Sequence, residues 1–180
     1  MIGKFFRKMA GTTQSPPRVS LGEMSWSFLG GFLGIAAVAY INYRWVEATD
    51  LVLLIGSLGA SAVLIYGAIK SPLAQPRNFL GGHVISALVG VTAYKLCYPY
   101  PWLAAALAVA VSILAMHATR TLHPPGGATA LIYIMGSAKM HNLGYFYAIM
   151  PVGAGALIML AVALLVNNLA PQRRYPEFWW

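Results

Sequence analysis

The chain has 180 residues, of which 59% are hydrophobic and only 9% charged, with a formal net charge of +8 and a mean hydropathy of +0.67. Soluble domains carry about 25% charge, so this composition excludes an ordinary soluble protein and points to a polytopic membrane protein built as one bundle. The basic excess then reports loop orientation and not a nucleic-acid surface, so no nucleic-acid partner is expected.

Residues 1–19 form a short basic tail with Lys4, Arg7, Lys8 and Arg18, broken at Pro16-Pro17. It lacks the apolar core of a signal peptide and reads as a cytoplasmic tail. Ser20-Leu-Gly-Glu23 fits a capping box, with Val19 and Met24 placed as a hydrophobic staple, so a helix starts there. A membrane-embedded domain follows over 20–168, and a cytoplasmic C-terminal tail over 169–180. A spanning helix needs about 20 mostly apolar residues. Five segments meet that need or nearly so, at 22–43, 51–69, 79–98, 102–119 and 143–167. A sixth, 126–138, is apolar but short, and reads as a half-helix or a short crossing.

Lys and Arg arbitrate between five crossings and six. With six, one side receives Lys4, Arg7, Lys8, Arg18, Lys70, Arg77, Arg120, Arg173 and Arg174, and the other Arg44, Lys95 and Lys139. Nine against three places both termini in the cytoplasm; with five crossings the split weakens to eight against four. Tyr40, Tyr43, Trp45, Tyr94, Tyr98, Tyr100, Trp102, Tyr145 and Tyr147 then fall at the outer interface. Trp26, Phe178, Trp179 and Trp180 fall at the inner one, as anchoring aromatics do.

Gly59-Ala-Ser61-Ala-Val-Leu-Ile-Tyr66 resembles Gly127-Ala-Thr129-Ala-Leu-Ile-Tyr133. Each string sits in the second segment of a three-segment half, which predicts two inverted repeats with a site at their interface. The fold expected is therefore an all-α membrane bundle of five to six segments, with a broken or re-entrant helix at His123-Pro-Pro-Gly-Gly127. Amides at Gly126, Gly127, Ala128 and Thr129 are expected to face the break without helical partners and attract an anion, joined by those at Gly59, Ala60 and Ser61 if the second segment is interrupted at Gly56-Ser-Leu-Gly59.

Several polar side chains belong to this candidate substrate site. His123 would donate to the anion, and Arg120 and His117 precede it on one helix face. Gln75-Pro-Arg77-Asn78 with Gly82-His83 lies on the same side as Arg120, with Asn78 as a helix N-cap. Arg77 and Arg120 would concentrate anions at the mouth. Ser86 reads as a helix contact, and Glu47 and Asp50 as a solvated patch beside Arg44. Gly30-x-x-x-Gly34, Gly56-x-x-Gly59 and Gly153-Ala-Gly155 suit tight packing or self-association, and Pro151 is placed to kink the last helix. His83, His117, His123 and His141 show no metal-ligand spacing, so neither metal nor cofactor is implied. No acid lies near the membrane core to complete a catalytic set, and no enzyme is expected.

His123-Pro-Pro-Gly-Gly-Ala-Thr129-Ala130, with Ser71-Pro-Leu-Ala-Gln75-Pro-Arg-Asn78 and Gly82-His83 upstream, resembles the signature of the HPP family of integral membrane proteins over about 22–167. The resemblance implies transport of nitrite or a similar small monovalent anion, and a family usually described with four spans. A bacterial plasma membrane is expected before a chloroplast envelope, and a homo-oligomer before a monomer. Runner-up functions are a membrane scaffold with a structural turn, or a cation carrier using the histidines.

Overall fold

A computed structural model describes residues 2–46 and 53–180. The predicted second segment begins two residues earlier, at 51, and those residues, with Glu47, Asp50 and the side chain of Trp45, lie outside the described part. A first short helix, α1 (Ile2–Arg7), sits in the basic tail. The long α2 (Leu21–Ile41) begins where the capping box placed it, because Ser20 Oγ accepts from the Glu23 amide at 3.2 Å. It continues as a π turn over Asn42–Val46.

Ile55 is extended as N-cap, and α3 (Gly56–Ala62) then runs into a π turn over Val63–Gly67. These 12 residues cover about 18 Å, little more than half the ~30 Å bilayer core. A 3₁₀ turn, Pro72–Ala74, leads to α4 (Pro76–Cys97). Helix α4 starts before the expected Asn78, because Pro76 has its φ preset at the first helical position and holds Gln75 extended as N-cap. Asn78 instead lies in the first turn and donates Nδ2 to the Leu122 carbonyl at 2.9 Å.

Helices α5 (Pro101–Ala118), α6 (Pro124–Ile134) and α7 (Ala138–Asn142) follow. The break expected at the proline pair lies between α5 and α6. The chain reverses through Arg120, whose φ of 57 is left-handed. A 3₁₀ turn (Gly144–Ala148) and a π turn (Ile149–Gly153) enter α8 (Ala154–Leu169). The kink predicted at Pro151 is present, with non-helical backbone at Met150.

The result is an all-helical membrane bundle. Four helical runs are long and apolar enough to span: Leu21–Arg44, Pro76–Cys97, Pro101–Ala118 and Gly144–Leu169. The short helices α3, α6 and α7 lie between them. At one end Arg173 Nε meets Glu23 Oε2 at 2.6 Å, Tyr175 donates to the Ala74 carbonyl at 2.7 Å, and Arg77 to the Thr119 carbonyl at 2.9 Å. At the other, Leu53 N donates to Asn42 Oδ1 at 2.7 Å, and Tyr94 stacks on His141 at 3.9 Å between centroids. Helix α6 therefore starts at the end that holds both termini and finishes at the opposite one.

Close packing at the centre rests on small residues. A Cβ on Gly82 would meet the His123 Cβ at 2.5 Å, and one on Gly126 would meet the Gly82 carbonyl at 2.7 Å. Gly90 approaches the Ala130 backbone, where its Cβ would lie 2.8 Å from Cα. Two of the three glycine motifs serve tight packing within the chain: Gly30 and Gly34 form a trough filled by Tyr66, and Gly155 packs on Leu58, whereas a Cβ on Gly59 would meet nothing within 4 Å.

Candidate functional site

Helices α3 and α6 lie antiparallel in the middle of the bundle. Ser57, in the first turn of α3, meets Thr129 in the middle of α6, while Ser61 meets His123 at the α6 N-cap. His83 projects from α4 between them. One continuous line of contacts results. His123 Nδ1 donates to the Leu73 carbonyl at 2.7 Å, since a carbonyl only accepts. His123 Nε2 lies 2.8 Å from Ser61 Oγ, which lies 2.7 Å from His83 Nε2. On the far side of that ring, His83 Nδ1 lies 2.6 Å from Thr129 Oγ1. Thr129 Oγ1 donates to Ser57 Oγ at 2.8 Å, with the Pro125 carbonyl as its other acceptor at 3.3 Å.

Every side chain in this line is buried, at 0% to 1% relative exposure. Phe79 presents its ring to both imidazoles at 5.3 Å and seals them from the termini-bearing end. Tyr147 donates to the Thr129 carbonyl at 3.0 Å. None of the hydrogen-bond partners just named is Asp, Glu, Lys or Arg. Among the described residues, no three His, Cys, Asp or Glu side chains converge as a metal site.

Residues 16–176 match the family described as "HPP, transmembrane region". The chain belongs to that family. It is also 48% and 47% identical to two proteins of Dictyostelium discoideum named only as transmembrane proteins, over 98% and 99% of its own length. It spans 58% and 64% of those relatives. No solved structure matches it.

The HPP motif thus supplies the N-cap and first turns of α6, and its histidine is a member of the buried line. Of the residues singled out from sequence, Ser61, His83, His123 and Thr129 come together, with Gly126 packed beside them. Others do not. Gly59 and Ala60 are exposed on the outer side of α3. Arg120 is exposed, as is His117, and α5 ends at Ala118, so these two and His123 share no helix face. Arg77 is half-buried and engaged with Thr119 at the mouth.

The expected unpartnered amides are a correction. Helix α6 begins at Pro124, so the amides of Gly127, Ala128 and Thr129 lie inside its hydrogen-bonded turns. Pro124 and Pro125 have no N–H, and the Gly126 amide donates to the His123 carbonyl at 2.8 Å. Likewise α3 starts at Gly56, which puts the amides of Gly59, Ala60 and Ser61 in its interior. Side chains, and not bare amides, form the polar surface here.

Four participants were missed. Ser57 shares a face with Ser61 at i, i+4 spacing, a signal present in the sequence. The Leu73 carbonyl and Tyr147 carry no such signal, and Tyr147 is buried instead of interfacial. Ser86, read as a helix contact, is buried one turn beyond His83 and its hydroxyl has no partner among the described residues. It abuts Gly126, whose Cβ would lie 2.8 Å from Ser86 Oγ.

Proposed function

We propose that this protein carries a small inorganic anion of the nitrite class across a membrane, with the His83–Ser61–His123–Thr129 line as its substrate site. The supporting observation is the buried polar line where two antiparallel half-helices meet inside an apolar bundle. Polar groups at such depth are expensive and mark permeation sites, and paired broken helices are a transporter plan. An anion suits this chemistry better than a cation. The line offers imidazole and hydroxyl donors and no carboxylate. The positive dipole ends of α3 and α6 flank it, at Ser57 and His123. Lys70, Arg77 and Arg120 sit at the termini-bearing end and would raise local anion concentration. That end carries nine of the twelve Lys and Arg, counted as above, and is assigned to the cytoplasm.

Transport from the occluded arrangement requires the site to open alternately to the two ends. The test is nitrite flux into liposomes holding the purified chain, with leak of nitrous acid through empty liposomes subtracted. Saturable flux is expected. His123→Gln is expected to lower it by at least tenfold, the equivalent of one charge-assisted hydrogen bond of about 1.5–3 kcal/mol. Flux no greater than leak, in folded and inserted protein, would return the chain to the scaffold reading.

A further inference from the structure

Apart from the buried line, a groove of about 520 Å³ opens at the termini-bearing end of the bundle. Arg77, Leu80, Gly81 and Val84 line it from α4 at i, i+3, i+4 and i+7, and so share one face of that helix. Trp179 and Trp180 line it from the tail, and Thr119 and Thr121 from the α5–α6 reversal. Val84 lies two turns deeper than Arg77, about 10 Å along the axis at 1.5 Å per residue. The same face continues to Leu88, which is 41% exposed on the flank of the span. That face therefore runs from the headgroup level into the hydrocarbon and is open to lipid at its deep end.

The polar groups of the groove lie at its mouth. Thr119 Oγ1 donates to the Ala115 carbonyl at 2.8 Å and lies 2.7 Å from Thr121 Oγ1, so both hydroxyls are engaged within the reversal. Arg77 differs from them. It is half-buried, gives one of its five N–H donors to the Thr119 carbonyl at 2.9 Å, and has no other partner among the described residues. Arg120, between the two lining threonines in the chain, adds a second positive charge. No acid answers them in the lining. Glu23 is paired with Arg173, Glu47 and Asp50 belong to the connection between α2 and α3, and Glu177 is exposed on the tail outside the groove. A small inorganic anion would use the guanidinium and leave the apolar length uncovered. A phospholipid satisfies both, with phosphate at the cation, an acyl chain below it and indoles flanking the headgroup. The headgroup must be net negative, because a choline ammonium would face Arg77 and Arg120.

We infer that this groove binds one anionic phospholipid, its phosphate on Arg77 and one acyl chain along Leu80, Gly81 and Val84. The inference does not depend on the transport reading. With Arg77 occupied in this way, Lys70 and Arg120 remain to attract the inorganic anion.

The test is native mass spectrometry of the full chain, released from detergent micelles that carry equal amounts of phosphatidylglycerol and phosphatidylcholine. One phosphatidylglycerol per chain is expected to stay bound under activation that strips phosphatidylcholine. Excess soluble glycerol phosphate is expected not to displace it. Arg77→Gln keeps an amide donor for the Thr119 carbonyl and removes the charge. It is expected to lower phosphatidylglycerol retention by about tenfold or more, as loss of a charge-assisted contact does. Val84→Trp fills the deep end of the groove, leaves every charge in place, and is expected to lower retention likewise. Loss in Arg77→Gln with full retention in Val84→Trp would reduce the site to a surface charge and overturn the groove. Displacement by glycerol phosphate would overturn the acyl-chain contact and leave an anion site only. Equal retention of the two lipids by the unaltered chain would overturn the inference whatever the variants do.

Discussion

His83 and His123 sit where neither could tolerate a bulkier neighbour. Gly82 and Gly126 let α4 and the first turn of α6 touch, and a Cβ on Gly82 would also meet the Thr121 carbonyl at 2.9 Å. Backbone cannot yield as a flexible side chain does. Gly82→Ala is therefore expected to destabilise the protein by about 1–3 kcal/mol, read as a lower unfolding temperature in detergent. Ser86 gives the opposite sign. Its buried hydroxyl lacks a partner, and such a group costs about 1–3 kcal/mol. Ser86→Ala is expected to raise the unfolding temperature and to lower anion flux, because a free donor one turn from His83 is lost. Equal flux in the two proteins would remove Ser86 from the substrate path. The motif histidine, His83 and the Ser61/Thr129 pair were legible in the sequence as polar residues in apolar segments. The roles of their backbone partners were not, since a carbonyl such as Leu73 is the same in every residue.

Among the elements, the two short helices and the C-terminal tail decide the architecture. The strings read as a repeat differ by one residue, Gly59 to Tyr66 against Gly127 to Tyr133, and the π turn at Val63–Gly67 absorbs the difference. That turn also releases two carbonyls. Ile65 accepts from Asn167 Nδ2 at 2.9 Å, and Tyr66 from Arg173 Nη1 at 3.1 Å. Arg173 further bonds Asn167 Oδ1 at 3.0 Å, the Glu23 carboxylate and carbonyl at 2.6 and 2.9 Å, and Ser27 Oγ at 2.7 Å. One guanidinium thus ties α2, α3, α8 and the tail together. Its side chain is 2% exposed. Arg173→Met leaves Glu23 and the Tyr66 carbonyl without it, and breaking a buried pair in this way costs about 3–5 kcal/mol, here reduced because Glu23 is partly exposed. Limited proteolysis is the measure: the variant is expected to be cleaved within 170–180 under conditions that leave the parent intact.

At the scale of the whole molecule, both termini lie at one end of the bundle, which predicts that they share a side of the membrane. Cysteine labelling checks this in a Cys97→Ala background. Ser15→Cys and Arg174→Cys are expected to react with an impermeant reagent from the same face of the membrane, and Lys139→Cys from the opposite face. Reaction of Arg174→Cys from the Lys139 side would show an odd number of crossings and contradict the fold. The aromatic distribution agrees with two interfaces. Tyr40, Tyr43, Tyr98, Tyr100 and Trp102 are exposed at one end, and Trp179 and Trp180 at the other.

Composition and hydropathy determined the class and, among five apolar segments, the four that are long spans; the capping box and the prolines determined the helix start at Ser20, the break at Pro124-Pro125 and the kink at Pro151. These are local consequences: an apolar run of sufficient length must be a helix in lipid, and proline removes a donor wherever it stands. Tertiary structure decided the rest. The second segment is a half-helix, packed antiparallel to α6. The amides expected to bind an anion are closed within helices, because α3 and α6 begin three residues earlier than the strings read as their starts. The two histidines, 40 positions apart as numbered in the chain, share one hydroxyl, Ser61, 22 residues from the first and 62 from the second. Contacts at that separation leave no period or spacing in a sequence; they arise only when the helices that carry them are packed.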